Sequence, residues 1–293
     1  MSSHYSVLTA TLKNMRSTGL NREAIGLSIE RKLDDITPEA ISLYAQATND
    51  ENPAYRSEPA LVPPFFVSRL IWNHVKELIL NRNLNLNFFK MVHAEQEVSW
   101  FKPIYAGDRL FARMEIKDIK DTKAGEMLYI SGSLFNQEGH KAAEATTGVM
   151  IKNNTNKGKN TPRSEEPPLR EKARIELYTR KGQNLEYAKA STDTSFIHTS
   201  DFLARLTGLP RAIMHGICLM AMTCSAFTRE FLDSDNLLLT SAKTRFHRPA
   251  LPGERLILVC HEGKPGVTPF TVISEQGTTV LKNGIITHSR SDL

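Results

Sequence analysis

No apolar run in this sequence approaches the roughly 20 residues that a membrane-spanning helix requires, so insertion into a bilayer is not expected. Cysteine is scarce. Cys218, Cys224 and Cys260 include no C-x-x-C pair and sit among apolar neighbours, which argues for buried thiols rather than a zinc site or a disulfide framework. No stretch interleaves Lys and Arg with aromatics as a nucleic-acid surface would, and the net charge of +5 is mild. That charge could favour an anionic ligand, but a solvated surface accounts for it equally well. The N-terminus has no charged-then-apolar layout of a secretory signal. A reducing, cytoplasmic setting is the expectation. An organelle matrix is the other setting to consider, since the first 20 residues carry Lys13, Arg16, several Ser and Thr, and no acid.

What is present is an ordinary globular composition, 40% hydrophobic and 24% charged, over 293 residues, enough for two modest domains. Residues 1–22 read as a leader with little apolar periodicity. Thr37-Pro38-Glu39 combines an N-cap residue, a proline for the first helical position and an early acid, which predicts a helix over 38–47. A polar turn from Asn49 to Pro53 ends it. After Pro63-Pro64, Phe66, Leu70, Val75, Leu78 and Ile79 recur at helical spacing and predict a long amphipathic helix. Strand-like runs follow in MVHAEQEVSW, RLFARMEI, MLYISGSLF and KAAEATTGVMI. Residues 152–170 are polar, charged and proline-bearing, and read as a linker.

The layout then repeats. Tyr44-Ala45-Gln46-Ala47 and Asp50 are answered by Tyr187-Ala188-Lys189-Ala190 and Asp193, 143 residues on. Pro103, Gly107 and Leu110 are answered by Pro249, Gly253 and Leu256, 146 residues on. Two blocks at nearly one spacing point to an internal duplication. Each half offers a short helix, a turn, a long apolar helix and about four or five strands. A helix apolar over a wide face needs a curved sheet to wrap it, so the expected class is α+β, with a long helix inside an antiparallel sheet in each half.

Chemistry concentrates in residues 187–224. Asp193 stands five residues before His198, and an apolar helix opens at His215-Gly216. A carboxylate and an imidazole on one loop can hold a water between them, one taking a proton while the other gives one. A helix opening at glycine offers bare backbone N–H groups and a positive dipole end to an oxygen that gains negative charge. Together these suggest addition of water across a double bond beside a carbonyl. Where the second half has His198 the first has Tyr55, a far weaker base, and Pro63-Pro64-Phe65 stands where a His-Gly helix start would be. One active site per chain, in the second half, is therefore expected.

The run resembles the hydratase-2 or MaoC-like dehydratases, whose pattern is D-x-N-P-x-H followed by P-x-x-H-G. Here it reads Asp193-Thr194-Ser195-Phe196-Ile197-His198, then Arg211 to Gly216, with Ser195 and Phe196 in place of the family's Asn and Pro. The resemblance implies a double hot dog: an N-terminal dehydratase-type hot-dog domain over 23–151, not catalytic, and a catalytic MaoC-like domain over 171–293. It implies (R)-specific interconversion of trans-2-enoyl and (R)-3-hydroxyacyl thioesters. No cofactor is expected beyond the coenzyme A or phosphopantetheine of the substrate, and no metal. The expected state is a homodimer or a pseudo-dimeric monomer. On this reading His198 is the base, Asp193 holds the water's other side, and the Gly216 N–H supports the enolate. His215 either positions the helix start or lines the pocket, and Cys224, two turns on, falls where the family carries a small polar group near the thioester. Arg245 and Arg248, with His247, could meet carrier phosphates. Taken singly, Asp193 also reads as a turn residue and His198 as a structural histidine. Two rivals are a hot-dog thioesterase and a degenerate acyl-binding or partner protein. From Gly216 to Phe227 there is no acid to drive thioester hydrolysis, whereas Ser195 and Phe196 favour the degenerate reading.

Overall fold

The computed structural model describes residues 19–87, 90–152 and 169–290. Most of the expected leader (1–18) and of the expected linker (153–168) lies outside them. Residues 19–22 are docked: the Leu20 N–H donates to Glu126 Oε2 at 2.9 Å, and Arg22 donates to the Ile119 carbonyl.

The first half runs β1 (Ser28–Lys32), α1 (Pro38–Ala47), α2 (Phe66–Ile79), β2 (Met91–Trp100), β3 (Phe111–Thr122), β4 (Gly125–Phe135) and β5 (Lys141–Lys152). Thr37 caps α1 as its sequence predicts, its hydroxyl accepting from the Ala40 N–H at 3.2 Å. Helix α2 turns Phe66, Val67, Ile71, Val75, Leu78 and Ile79 inward, with Leu70 at the margin. The second half runs β6 (Glu171–Tyr178), α3 (Gln183–Ser191), α4 (Phe196–Thr199), α5 (Asp201–Leu206), α6 (Gly216–Phe231), β7 (Leu239–Phe246), β8 (Arg255–His261), β9 (Val267–Ser274) and β10 (Thr279–His288).

All ten strands form one antiparallel sheet in the order β1-β3-β4-β5-β2-β7-β10-β9-β8-β6. The second five mirror the first, and the halves join where β2 pairs with β7. In that register Glu97 lies opposite Lys243, its own counterpart at the 146-residue offset, so a pseudo-twofold axis passes through this pair. The other offset marks the axis a second time. Tyr44 Oη donates to the Phe65 carbonyl at 2.9 Å, and its counterpart Tyr187 donates to Tyr44 Oη at 3.1 Å. Local geometry repeats as well. Asn49 and Thr192, each just before its acid, hold φ of 56° and 63°, and Gly107 and Gly253 hold φ of 87° and 88° in the same left-handed turn.

With α2 packed on β1, β3, β4 and β5, and α6 on β6 and β7, the architecture is an α+β double hot dog. The two helices are not buried alike. Helix α6 is enclosed on all sides from Cys218 to Thr228, because the sheet covers one face and the first half the other: Cys218 Sγ lies 3.6 Å from the Ala47 carbonyl. Among the described residues no helix is long and apolar enough to cross a membrane.

The tyrosine pair gives a graded test. Tyr44→Phe removes one of the two donors to the buried Phe65 carbonyl, which the Ser68 N–H still reaches at 3.0 Å, and leaves the buried Tyr187 hydroxyl without its acceptor, for an expected loss of about 1–3 kcal/mol; Tyr187→Phe removes a single bond and costs about 0.5–1.5 kcal/mol. Urea unfolding midpoints should therefore fall in the order wild type, Tyr187→Phe, Tyr44→Phe.

Candidate active site

Helix α3 ends at Ser191, and Thr192 turns the chain with positive φ to set Asp193 on the loop. The Ser195 backbone N–H donates to Asp193 Oδ1 at 3.1 Å, and the Ser195 hydroxyl donates to the same oxygen, leaving Oδ2 for other partners. Serine thus holds the acid from the position where the family carries Asn. Helix α4 then presents His198. Its carbonyl is held by Asn184 Nδ2 at 2.7 Å, and its Nδ1 lies 3.0 Å from the Ile213 carbonyl. A carbonyl only accepts, so Nδ1 carries the proton and Nε2 is left with the lone pair that a base uses.

His215 is buried at the start of α6, its ring between Tyr187 (centroids 4.9 Å apart) and His198 (3.8 Å, stacked). Its Nε2 donates to the Asp193 backbone carbonyl at 2.9 Å and lies 3.9 Å from Asp193 Oδ2, so it pegs the acid's loop to the helix start. Donor atoms of Asp193, His198 and His215 all lie within 4.8 Å of one another. That span suits a water shared between carboxylate and imidazole. It suits a metal poorly, because imidazoles bound to one ion at about 2 Å converge edge-on, whereas these two are stacked face to face. Phe196 is 41% exposed, so a good part of it faces solvent.

Burial holds the His198 imidazole below its ordinary value near 6.5, with the Asp193 carboxylate opposing the shift. His215 is held lower still by burial and by the neighbouring His198. Both are therefore neutral near pH 7.

The remaining expected residues divide. Gly216 is the first residue of α6, where backbone N–H groups lack helical acceptors. A Cβ there would stand 2.5 Å from Phe246 Cε1, so only glycine lets the helix start this close to β7. Cys224 is not beside Asp193. It is buried two turns along α6, where the carboxylate acting on its thiol is Asp50 of the first half. The spacing that suggested a thioester contact points instead across the pseudo-twofold axis. Arg245 is engaged with Glu95 at 2.9 Å across the β2–β7 join. Arg248 is exposed; burial, and then the charges of Lys282, Arg248 and Arg245, lower the imidazole of His247, so these groups form one basic cluster at the end of β7.

The counterpart loop in the first half is closed. Tyr55 donates to Asp50 Oδ2 at 2.7 Å and receives a bond from Asn236, and burial raises both the phenol and the Asp50 carboxyl above their usual values. Asn184, Tyr187, Phe246 and the first-half residue His93 also belong to the active surroundings, and motif reading did not single them out. Tyr187 was visible only as part of the repeat.

Residues 159–281 match the family model for a MaoC like domain, and residues 23–145 match that for the FAS1-like, dehydratase domain region. The chain thus joins a FAS1-like, dehydratase domain region to a MaoC like domain. It is 28% identical over 188 residues to the 3-hydroxyacyl-thioester dehydratase Y of Mycobacterium tuberculosis, covering 61% of this chain and 64% of that one. It is 22% identical over 278 residues to the peroxisomal multifunctional enzyme type 2 of Drosophila melanogaster, covering 90% of this chain and 46% of that protein. The chain thus spans about half to two thirds of the length of these relatives. Its fold is shared with a MaoC-like dehydratase from Phytophthora capsici, with a TM-score of 0.81, 20% identity, and coverage of 93% of this chain and 100% of the other.

The neutral buried imidazoles have a consequence for acid stability. In the unfolded chain a histidine takes up its proton near pH 6.5, whereas in the fold His215 does so only at much lower pH. Between those limits the unfolded state binds more protons, so stability is complete above about pH 6.5 and is lost as pH falls. Unfolding midpoints measured from about pH 7 down to about pH 4.5 should decline, and more shallowly in His215→Gln.

Proposed function

We propose that this chain catalyses reversible, (R)-specific addition of water to trans-2-enoyl thioesters, giving (R)-3-hydroxyacyl thioesters, with one active site per chain in the second half. The reading rests on one observation: a neutral imidazole with its lone pair on Nε2 and a carboxylate gathered into one cluster whose polar atoms lie within 4.8 Å of one another, beside a glycine-led helix start. The name of the mycobacterial relative supports the same reaction class.

In the hydration direction His198 Nε2 takes a proton from the shared water while its oxygen bonds to C3. The C2–C3 π pair moves toward the thioester carbonyl, and the Gly216 N–H steadies the oxygen that becomes negative. The proton returns from His198 by way of Asp193 to C2. One water is consumed and the protein is unchanged. Ser195 holds Asp193 Oδ1 fixed while Oδ2 works, and His215 keeps the loop against the helix. No group beyond the thioester substrate is required. The Arg245, His247 and Arg248 cluster is the candidate contact for carrier phosphates, and the setting proposed is cytoplasmic or an organelle matrix. The 23–151 and 171–293 halves are read as supporting and catalytic domains.

Loss of the conjugated enoyl absorbance with crotonyl-CoA and longer enoyl-CoAs tests the proposal. Asp193→Asn and His198→Gln should each lower kcat by at least about 100-fold, while Asp50→Asn stays within a few-fold of wild type. kcat should hold through the ordinary histidine range and fall only at lower pH, because burial delays protonation of His198. Release of free thiol instead of loss of absorbance would make the chain a thioesterase, and binding with neither signal would make it an acyl-thioester-binding protein.

A further inference from the structure

A polar network in the first half is aimed at the second half's site. The pairing of β2 with β5 slips between His93 and Glu95, a β-bulge in the first half's central strand. Bulges re-aim side chains and are over-represented beside active sites. Here His93 Nε2 faces the Glu95 carbonyl at 3.1 Å and the Gln96 side-chain oxygen at 3.2 Å. Both are acceptors, so Nε2 carries the proton. Gln96 is itself fixed, since Thr147 donates to its Oε1 at 3.0 Å and its Nε2 donates to the Glu97 carbonyl at 3.2 Å. The plane of the His93 ring is therefore set entirely by first-half residues.

That ring meets Phe246, which lies on β7 of the second half, with centroids 4.6 Å apart and planes at 64°. The phenyl ring occupies the space a Cβ at position 216 would need, with Cε1, Cδ1 and Cζ all within 2.9 Å of it. Helix α6 thus starts on the Phe246 ring, and the ring rests on His93. The charges of Asp193 and His198 reach the His93 imidazole, while burial holds it at about 4, so it stays neutral beside them near pH 7.

We propose that His93, contributed by the first half, is a positioning residue for the second half's active site: through the Phe246 ring it sets where the Gly216 N–H points. A half that has lost its own base on this account keeps a bulge and three ordered polar side chains because the working half needs them. The inference rests on Gly216 acting as the enolate donor, but its geometry can be read without any substrate.

The test compares His93→Ala, His93→Phe, Phe246→Ala and the double variant His93→Ala/Phe246→Ala in the full chain, by amide hydrogen exchange and steady-state kinetics. In His93→Ala the Leu219 amide, which donates to the His215 carbonyl and closes the first turn of α6, should exchange at least about 10-fold faster while the Phe66–Ile79 helix is unchanged. kcat should fall about 10-fold with KM within about twofold, the pattern of a lost transition-state interaction. His93→Phe keeps a ring under Phe246 and should restore both readouts to within about threefold of wild type. The double variant should be no worse than Phe246→Ala alone, because the effect passes through that ring. Unchanged exchange and kcat in His93→Ala would overturn the proposal. So would loosening of both long helices alike, additive losses in the double variant, or a folded His93→Phe as impaired as His93→Ala. If His93→Ala does not fold, His93→Phe and Phe246→Ala decide by the same exchange readout: the first must match wild type and the second must loosen the first turn of α6 at Leu219. If wild type hydrates no enoyl thioester, the proposed function fails, while the exchange data still decide the positioning role.

Discussion

The β2–β7 pairing is the interaction on which the rest of the molecule depends. Without it each half-sheet would end in a bare row of N–H and C=O groups at its central strand, an edge that invites pairing with other chains. With it, ten strands share one sheet and only the outer strands β1 and β6 remain at the edges. Both carry alternating charges, Glu30, Arg31 and Lys32 on one and Glu171, Lys172, Arg174 and Glu176 on the other, which discourages further strand addition. In a symmetric dimer the residue on the axis would face its own copy. Here those two positions carry Glu97 and Lys243, opposite charges facing each other in the register.

Fusion of the copies released each from the need to remain alike. The two loops that follow α1 and α3 start from the same left-handed turn and the same acid, and end in opposite chemistries. Around Asp193 one carboxylate oxygen is left unclaimed by Ser195 and the nearby imidazole is neutral with a lone pair available. Around Asp50 the phenol donates to the acid and is itself capped by Asn236, and burial raises both groups above their ordinary values. The Asp50 carboxyl of the first loop is hydrogen-bonded to Ser225 of α6, and its charge reaches the buried Cys224 thiol one residue before.

Burial makes His198 useful as a base near neutral pH. A fully solvated imidazole would be partly protonated in mildly acidic water, whereas desolvation disfavours the charged form. Asp193 counters that effect without cancelling it. The charge that accumulates on His198 during proton transfer is then met by the carboxylate beside it.

Much of this could be read from the chain alone. The cap at Thr37, the apolar stripe of α2, the four first-half strands and the 143- and 146-residue offsets are local or periodic signals, and each follows from propensity, capping or repetition that contact with distant residues need not supply. Spacing also set Asp193, His198 and Gly216 near one another, because loop and helix start are joined by fewer than twenty residues. Tertiary structure decided the rest. That Cys224 serves the first half's loop, that Arg245 is taken up by Glu95, and that His93 stands beneath Phe246 all arise from pairs 50 or more residues apart. Sequence periodicity reports which face of an element is apolar, but it carries no record of which element from the other copy that face will meet.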